Sequence, residues 1–295
     1  MDRVLITGAS GFLGSHLGVH LANSGHDVLG LFHTNTIPLP FRSLKGDVSD
    51  REALLKRAEE FHPTAIVHAA ALSRVIDCER EPELARRVNI LGTTNVAEVA
   101  RSCKAYLILL STDQVFDGHR ALRKEGEAPC PTHEYGRCKA EAERLAMAVP
   151  DSLVLRSNNI VGRSFGWGSS FTDGILAKLV RGETAKLFTD QFRSPIHVKT
   201  MAEVIHRCIA ERKSGVLHAG GPERMSRFET GLALARAYGY PESSILPESM
   251  TSHPQQALLH RDGSFDTSLL RSNWADLGSE KIAAGLQHDA LEGVR

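Results

Sequence analysis

A chain of 295 residues with 42% hydrophobic and 24% charged side chains can enclose one large or two interleaved cores, and it is neither disordered nor collagenous. Its 35 basic residues balance 35 acidic ones, so the electrostatic footprint of a nucleic-acid binder is missing. The longest apolar runs, such as Ala105 to Leu110, fall far short of the roughly 20 residues that a membrane-crossing helix needs.

The first residues run straight into a strand pattern, with no basic and apolar leader, so a cytoplasmic protein is expected. Five widely spaced cysteines (Cys78, Cys103, Cys130, Cys138 and Cys208) form no Cys-x-x-Cys pair and read as reduced thiols. The 14 histidines include no helical His-x-x-x-His pair beside a carboxylate, so no metal is expected.

Short runs rich in Val, Ile and Leu alternate with helical patterns through the first half. Strands are expected at Arg3 to Thr7, Asp27 to Phe32, Ser43 to Lys45, Ala65 to Ala69, Ala105 to Ser111 and Ser152 to Arg156. Between them the pattern predicts helices near Gly11 to Ser24, Asp50 to Phe61, Pro82 to Cys103 and His133 to Ala148. Continuous apolarity implies strands buried on both faces, hence an α/β fold with a doubly wound parallel sheet. After about residue 160 the pattern loosens, and the glycine-rich run from Gly162 to Gly168 marks a boundary between residues 1–160 and residues 161–295. A strand at Lys186 to Thr189, a strand and helix from Pro195 to Glu211 and a strand at Val216 to Ala219 follow, with the stretch 195–220 a candidate to rejoin the first sheet. Ser226 and Glu229 have the spacing of a capping box before a helix to about Tyr238.

Gly8-Ala9-Ser10-Gly11-Phe12-Leu13-Gly14 lies between the first strand and the first helix, where unpaired N–H groups and the helix dipole favour a pyrophosphate. Gly8 makes the tight turn, Gly11 lets a phosphate approach, and Gly14 lets the helix pack on the sheet, as in the Rossmann dinucleotide fold. The second strand ends Phe32-His33-Thr34-Asn35 without the carboxylate that binds the ribose of NAD. His33, Thr34 and Asn35 therefore favour NADP, with NAD still admitted and with Arg42 or Lys45 as nearby cations. Tyr135 and Lys139, four residues apart, share one helix face, and an ammonium near a phenol would lower the phenol's pKa and ready it for acid–base work. The strand end Leu110-Ser111-Thr112-Asp113 offers a hydroxyl beside them.

These motifs, with Gly46-Asp47-Val48, His68-Ala69-Ala70-Ala71 and Val88-Asn89 ahead of Gly92-Thr93-Thr94-Asn95, resemble an extended short-chain dehydrogenase/reductase over nearly the whole chain. The resemblance implies that Asp47 and Val48 contact adenine, that Ala69, Ala70 and Ala71 flank the cofactor, and that Thr112, Tyr135 and Lys139 are the catalytic triad. Asn89 would lie in the proton-relay helix. Within the family, the run from Ser111 to Gly118, the run from Phe188 to Pro195 and the run from His218 to Pro222 are most similar to dTDP-4-dehydrorhamnose reductases. Two residues depart: that branch usually has Tyr at Gln114 and Trp at Asn159, and Asn159 is more like the substrate-contacting Asn of epimerases and dehydratases. Gln114 cannot exchange a proton as the dehydratase Glu does, which argues against dehydration.

By resemblance Arg193 would bind a substrate diphosphate, with Asp113 and Asn159 as further substrate residues. Phe165, Trp167 and Phe171 are candidates to stack on a base. The resemblance thus implies an NADP-preferring reductase of a keto group on a nucleotide-activated sugar, a homodimer with residues 161–295 as its substrate-binding portion. It also admits a non-catalytic dinucleotide-binding subunit of the kind that partners methionine adenosyltransferase, or a nucleotide-sugar epimerase.

Overall fold

The computed structural model describes residues 1–34, 38, 40–165 and 170–292. Asn35 and Trp167, both named above, lie outside the described residues.

The chain begins β1 (Arg3–Thr7), α1 (Phe12–Asn23), β2 (Asp27–Phe32), β3 (Arg42–Lys45), α2 (Arg51–Phe61) and β4 (Ala65–His68). A short α3 (Val75–Arg80) follows. The stretch expected as one helix from Pro82 to Cys103 is broken into α4 (Pro82–Arg86), a π-helical turn over Arg87–Leu91, and α5 (Gly92–Cys103). That turn is where Asn89 accepts a hydrogen bond from the Leu72 backbone N–H and donates one to its carbonyl, at 2.9 and 3.0 Å. Next come β5 (Tyr106–Thr112), α6 (Glu134–Met147) and β6 (Ser152–Ser157).

The second half holds β7 (Ile160–Val161), α7 (Phe171–Val180), β8 (Ala185–Phe188), β9 (Phe192–Arg193), β10 (Ile196–His197), α8 (Val198–Glu211) and β11 (Gly215–Ala219). It continues with β12 (Met225–Ser226), α9 (Arg227–Ala237), β13 (Ile245–Glu248), α10 (Ser268–Asn273), α11 (Ala275–Gly278) and α12 (Ile282–Glu292). Ser226 and Glu229 do form the reciprocal capping box at the start of α9. β13, which pairs in parallel with β8, is not among the expected strands.

Seven strands pair in parallel in the order β11-β6-β5-β4-β1-β2-β3, the doubly wound sheet that the pattern predicts. The pleat divides β1 between two cores. Val4 and Ile6 pack with Leu17 and Leu21 of α1 and with Met201 and Ile205 of α8, whereas Leu5 packs with Leu54 of α2 and Val96 of α5. A third core joins α7, α9, β13 and α12 through Ile175, Leu234, Ile245 and Leu286. Because α8 and β11 complete the large sheet and its cover, the later chain threads back through the first half. Among the described residues no helix is long and apolar enough to cross a membrane.

Two fully buried histidines sit at the carboxyl ends of the strands. His68 lies between the Thr7 and Thr93 hydroxyls at 2.7 and 3.1 Å, and His218 faces the Arg156 guanidinium at 3.3 Å and the Arg123 carbonyl at 3.1 Å. Burial pushes both imidazoles down to about 3, helped by the Lys139 charge for His68 and the Arg156 charge for His218. Each stays neutral in the folded chain but takes a proton on unfolding once the pH is below 6.5. Their contribution is therefore complete above that value and is lost as the pH falls toward 3. Urea unfolding should show stability falling by about 1.4 kcal/mol per imidazole per pH unit below about pH 6. His68→Gln should remove one imidazole's share of that slope.

Candidate active site

Two cavities meet at the carboxyl ends of the parallel strands. The first, of about 720 Å³, is walled by the β1–α1 turn, the ends of β2 and β4, and the loop after β3. The second, of about 480 Å³, lies over the end of β5 and the start of α6 and reaches the α9 terminus, and the two share Ser73 and Ser157 on their walls.

Gly8, Ser10, Gly11, Phe12 and Leu13 line the first cavity. Gly8 has φ of 72° and presses on the next strand's turn so closely that a Cβ would lie 2.8 Å from the Ala70 nitrogen. α1 starts at Gly11 with no side chain capping it and no acid in its first turn, so its free N–H groups face the cavity. Ala69, Ala70 and Ala71 form the facing wall, and Thr7 accepts from the Ala70 N–H at 3.2 Å. His33, Thr34, Asp47 and Val48 line the same cavity.

Asp47 approaches His33 at 3.6 Å, so an acid missing from the end of β2 arrives from the next loop. Burial opposes its charge, but hydrogen bonds from the Ser49 N–H and hydroxyl hold its carboxyl below the usual range. Neither cation suggested by sequence lines this cavity: Arg42 covers the Phe61 ring at 5.5 Å instead. The guanidinium that does line it is Arg87, from the π-helical turn, a residue with no motif to announce it.

Around the second cavity the structure brings Thr112, Asp113, Tyr135, Asn159 and Arg193 together. One chain of hydrogen bonds orders Thr112, Asp113 and Arg193. The Gly136 N–H donates to His133 Nδ1 at 3.0 Å, which leaves the ring proton on Nε2 to donate to Gln114 Oε1 at 2.9 Å. Gln114 Nε2 donates to Asp113 Oδ2 at 2.8 Å, and the Thr112 hydroxyl donates to Asp113 Oδ1 at 3.2 Å. Arg193 Nε closes on Asp113 Oδ2 at 3.0 Å, both side chains 5% exposed. Gln114, a departure from the reductase pattern, is thus the bridge between His133 and the central carboxylate.

Three expectations change. Arg193 does not reach freely toward a ligand: Nε is held by Asp113, and Nη1 donates to the carbonyls of Phe192 at 2.6 Å and His260 at 3.3 Å. Lys139 does not lower the Tyr135 pKa, because its buried ammonium donates to the Leu110 carbonyl at 2.6 Å. Burial and the Asp113 charge push the phenol above its usual range, against a smaller downward pull from the Thr112 hydroxyl. Burial also brings Lys139 itself down to about 8, with the Glu143 carboxylate opposing. Finally, both described aromatics already carry a partner on one face: Phe165 stacks on His16 at 4.1 Å, and Arg227 covers Phe171 at 4.4 Å.

Sequence reasoning missed Arg227. At the first position of α9 it lines the cavity and donates to Asn159 Oδ1 at 2.7 Å. Burial and the neighbouring Arg193 charge pull its pKa down to about 9. Two guanidiniums therefore face one carboxylate, Asp113, and the cavity wall carries positive charge suited to an anionic ligand. Asn159 Nδ2 and Asn158 Oδ1, beside them, are buried polar atoms with no partner in the protein.

The RmlD substrate binding domain matches residues 1–277 of this chain. The beta subunit of methionine adenosyltransferase 2 from Xenopus laevis is 32% identical over 253 residues, 83% of this chain and 75% of that protein. A probable low-salt glycan biosynthesis reductase of Haloferax volcanii is 29% identical over 269 residues, 89% of each chain. The structure superposes on a dTDP-4-dehydrorhamnose reductase of Bacillus anthracis in complex with NADP with a TM-score of 0.85 and 25% identity, covering 99% of both.

The Asp113–Arg193 pair can be tested without a substrate. Breaking a buried ion pair from one side leaves the other charge uncompensated, which costs about 3–5 kcal/mol. Arg193→Met should lower unfolding stability by that amount in denaturant titration. A loss below about 1 kcal/mol would mean that Arg193 is free to serve a ligand alone.

Proposed function

The chain belongs to the RmlD substrate-binding-domain family of extended short-chain dehydrogenase/reductases, and from that membership we propose that it is an NADP-preferring oxidoreductase that reduces a keto group on a nucleotide-activated sugar. The observation that carries this reading is the junction of the two cavities at Ser73 and Ser157, with Thr112 and Tyr135 beside it. A dinucleotide laid in the glycine-walled cavity presents its reactive end where a carbonyl would meet a hydroxyl and a phenol.

The residues present fit that dinucleotide. Gly8, Ser10, Gly11, Phe12 and Leu13 would hold the pyrophosphate, Asp47 and Val48 the adenine end, and Ala69, Ala70 and Ala71 the opposite side. His33, Thr34 and the Arg87 guanidinium would receive a 2′-phosphate. When bound, the cofactor supplies a hydride. The protein's share is the proton and the orientation. Tyr135, kept protonated by burial and by Asp113, holds the proton that reduction of a carbonyl consumes. Thr112, whose hydroxyl Asp113 orients, would hold the carbonyl oxygen. Lys139 would reach the ribose by leaving the Leu110 carbonyl. Arg227, with the unpartnered Asn159 Nδ2 beside it, would face the substrate's phosphates, and Arg193 would fix Asp113. Dinucleotide binding by residues 1–160, substrate binding by residues 161–295, a homodimer and a cytoplasmic setting complete this reading.

A second reading is favoured by the methionine adenosyltransferase relative together with the Lys139 contact to Leu110: a dinucleotide-binding regulatory subunit without turnover. NADPH oxidation measured against a panel of 4-keto nucleotide sugars separates the two. Turnover is expected, and Tyr135→Phe should lower it by about a hundredfold to ten-thousandfold while leaving NADPH binding intact. No oxidation with any keto-sugar, alongside firm dinucleotide binding, would favour the regulatory reading. Thr34→Asp should lower kcat/KM for NADPH relative to NADH through like-charge repulsion with the 2′-phosphate. Native kcat/KM equal for the two cofactors would refute the NADP preference.

A further inference from the structure

At the end of α1 away from the glycine-rich turn, three histidines and a glutamate from separate parts of the chain converge. His20 Nε2, His206 Nδ1 and Glu203 Oε2 lie 3.2, 3.0 and 3.6 Å apart as the pairs His20–His206, His20–Glu203 and His206–Glu203. All three side chains are between 25% and 30% exposed, so they are reachable from solvent yet held by their helices. His206 Nε2 meets His26 Nε2 at 3.1 Å on the other side of the ring. We infer that His20, Glu203 and His206 form a binding site for a zinc-like divalent cation, with His26 orienting His206 from behind.

The distances are those of a coordination face. Ligands about 2.0–2.1 Å from a tetrahedral ion stand about 3.3–3.4 Å from one another, and the three observed separations straddle that value. Two imidazoles and one carboxylate are ligand types that zinc takes, and the exposed side leaves a fourth position for water.

Protons alone serve the three atoms poorly. The Asp2 N–H donates to His26 Nδ1 at 3.1 Å, so the His26 proton sits on Nε2 and points at His206 Nε2. The His206 proton then sits on Nδ1, facing His20 Nε2. If His20 also carries its proton on Nε2, two N–H groups oppose each other; if it does not, a lone pair faces the Glu203 carboxylate at 3.0 Å. A cation among the three makes each of their mutual contacts attractive. It requires His206 to hold its proton on Nε2 and His26 to hold its own on Nδ1, which exchanges the hydrogen bond from the Asp2 N–H for the Asp2 carboxylate 3.9 Å away. No net proton is released by that exchange.

His20 lies about 12 Å along α1 from Phe12, so the ion would not touch the cavities. It would clip α1 to α8, two helices that cover the same face of the large sheet. Sequence spacing does not reveal such a site, because His20 and His206 lie on different helices.

The test uses the full chain without an affinity tag, stripped with chelator and titrated with ZnCl2 by calorimetry and by thermal unfolding. One saturable equivalent is expected, with Tm rising by about 5 °C at roughly a hundredfold excess over Kd, and MgCl2 should have no such effect. His20→Gln and His206→Gln should each weaken binding by about a hundredfold or more, and His26→Leu, which removes only the orienting contact, about tenfold to a hundredfold. Co2+ in place of Zn2+ should give the visible bands of a tetrahedral site in the native chain and not in His206→Gln. Absence of saturable binding, or a Zn2+ affinity unchanged in both Gln variants, overturns the proposal. Keto-sugar reduction plays no part in these readouts, so the outcome does not depend on the proposed activity.

Discussion

The buried ion pair between Asp113 and Arg193 ties the two halves of the molecule at the site. Asp113 follows β5, a central strand of the large sheet, and Arg193 belongs to β9, in the later half of the chain. Neither charge could be carried alone at 5% exposure, so each fixes the other's position. Gly263 lies against the same carboxylate, where a side chain would collide with Asp113. Thr112 and Gln114 then hydrogen-bond to that fixed carboxylate, and through Gln114 it reaches His133 at the start of α6. The geometry around Tyr135 therefore depends on an interaction between residues far apart in the chain.

A second buried pair supports the first from below. Glu143 of α6 binds Arg156 of β6 through both carboxylate oxygens, at 2.9 and 2.7 Å, and accepts from the Ser111 hydroxyl at 2.5 Å. With α6 locked to β5 and β6 in this way, Tyr135 and Lys139 have little freedom to change register. Charge is the less intuitive part of the arrangement. The phenol is held protonated by burial and a nearby carboxylate, while the ammonium is engaged by a backbone carbonyl. A site so arranged keeps the proton on the phenol at neutral pH.

Positive charge concentrates on the other wall. Arg227 and Arg193 outnumber Asp113, and a buried surplus of that kind is stable only where an anion or solvent shares it. The orphaned amide atoms of Asn158 and Asn159 point to the same conclusion, since buried polar atoms ordinarily find partners. Phosphates and sugar hydroxyls supply both needs, which joins the electrostatics of the cleft to the chemistry proposed for it.

Local sequence determined much of the fold. The apolar runs made parallel strands, the glycines of the first turn shaped a cradle for phosphates, and the spacing of Tyr135 and Lys139 put them on one face of α6, because each of these depends on neighbours within a few residues. Tertiary structure decided the rest. Whether Lys139 faces the phenol or the Leu110 carbonyl, whether Arg193 is free or bound to Asp113, and whether Asp47 reaches His33 all turn on contacts between distant segments that no periodicity encodes. The π-helical turn brought Arg87 to the cofactor cavity, and the packing of α9 brought in Arg227, neither with a motif. Burial is the physical reason for the division: local patterns say which residues can point inward, but only the assembled core sets how much water and which opposite charge remain beside them.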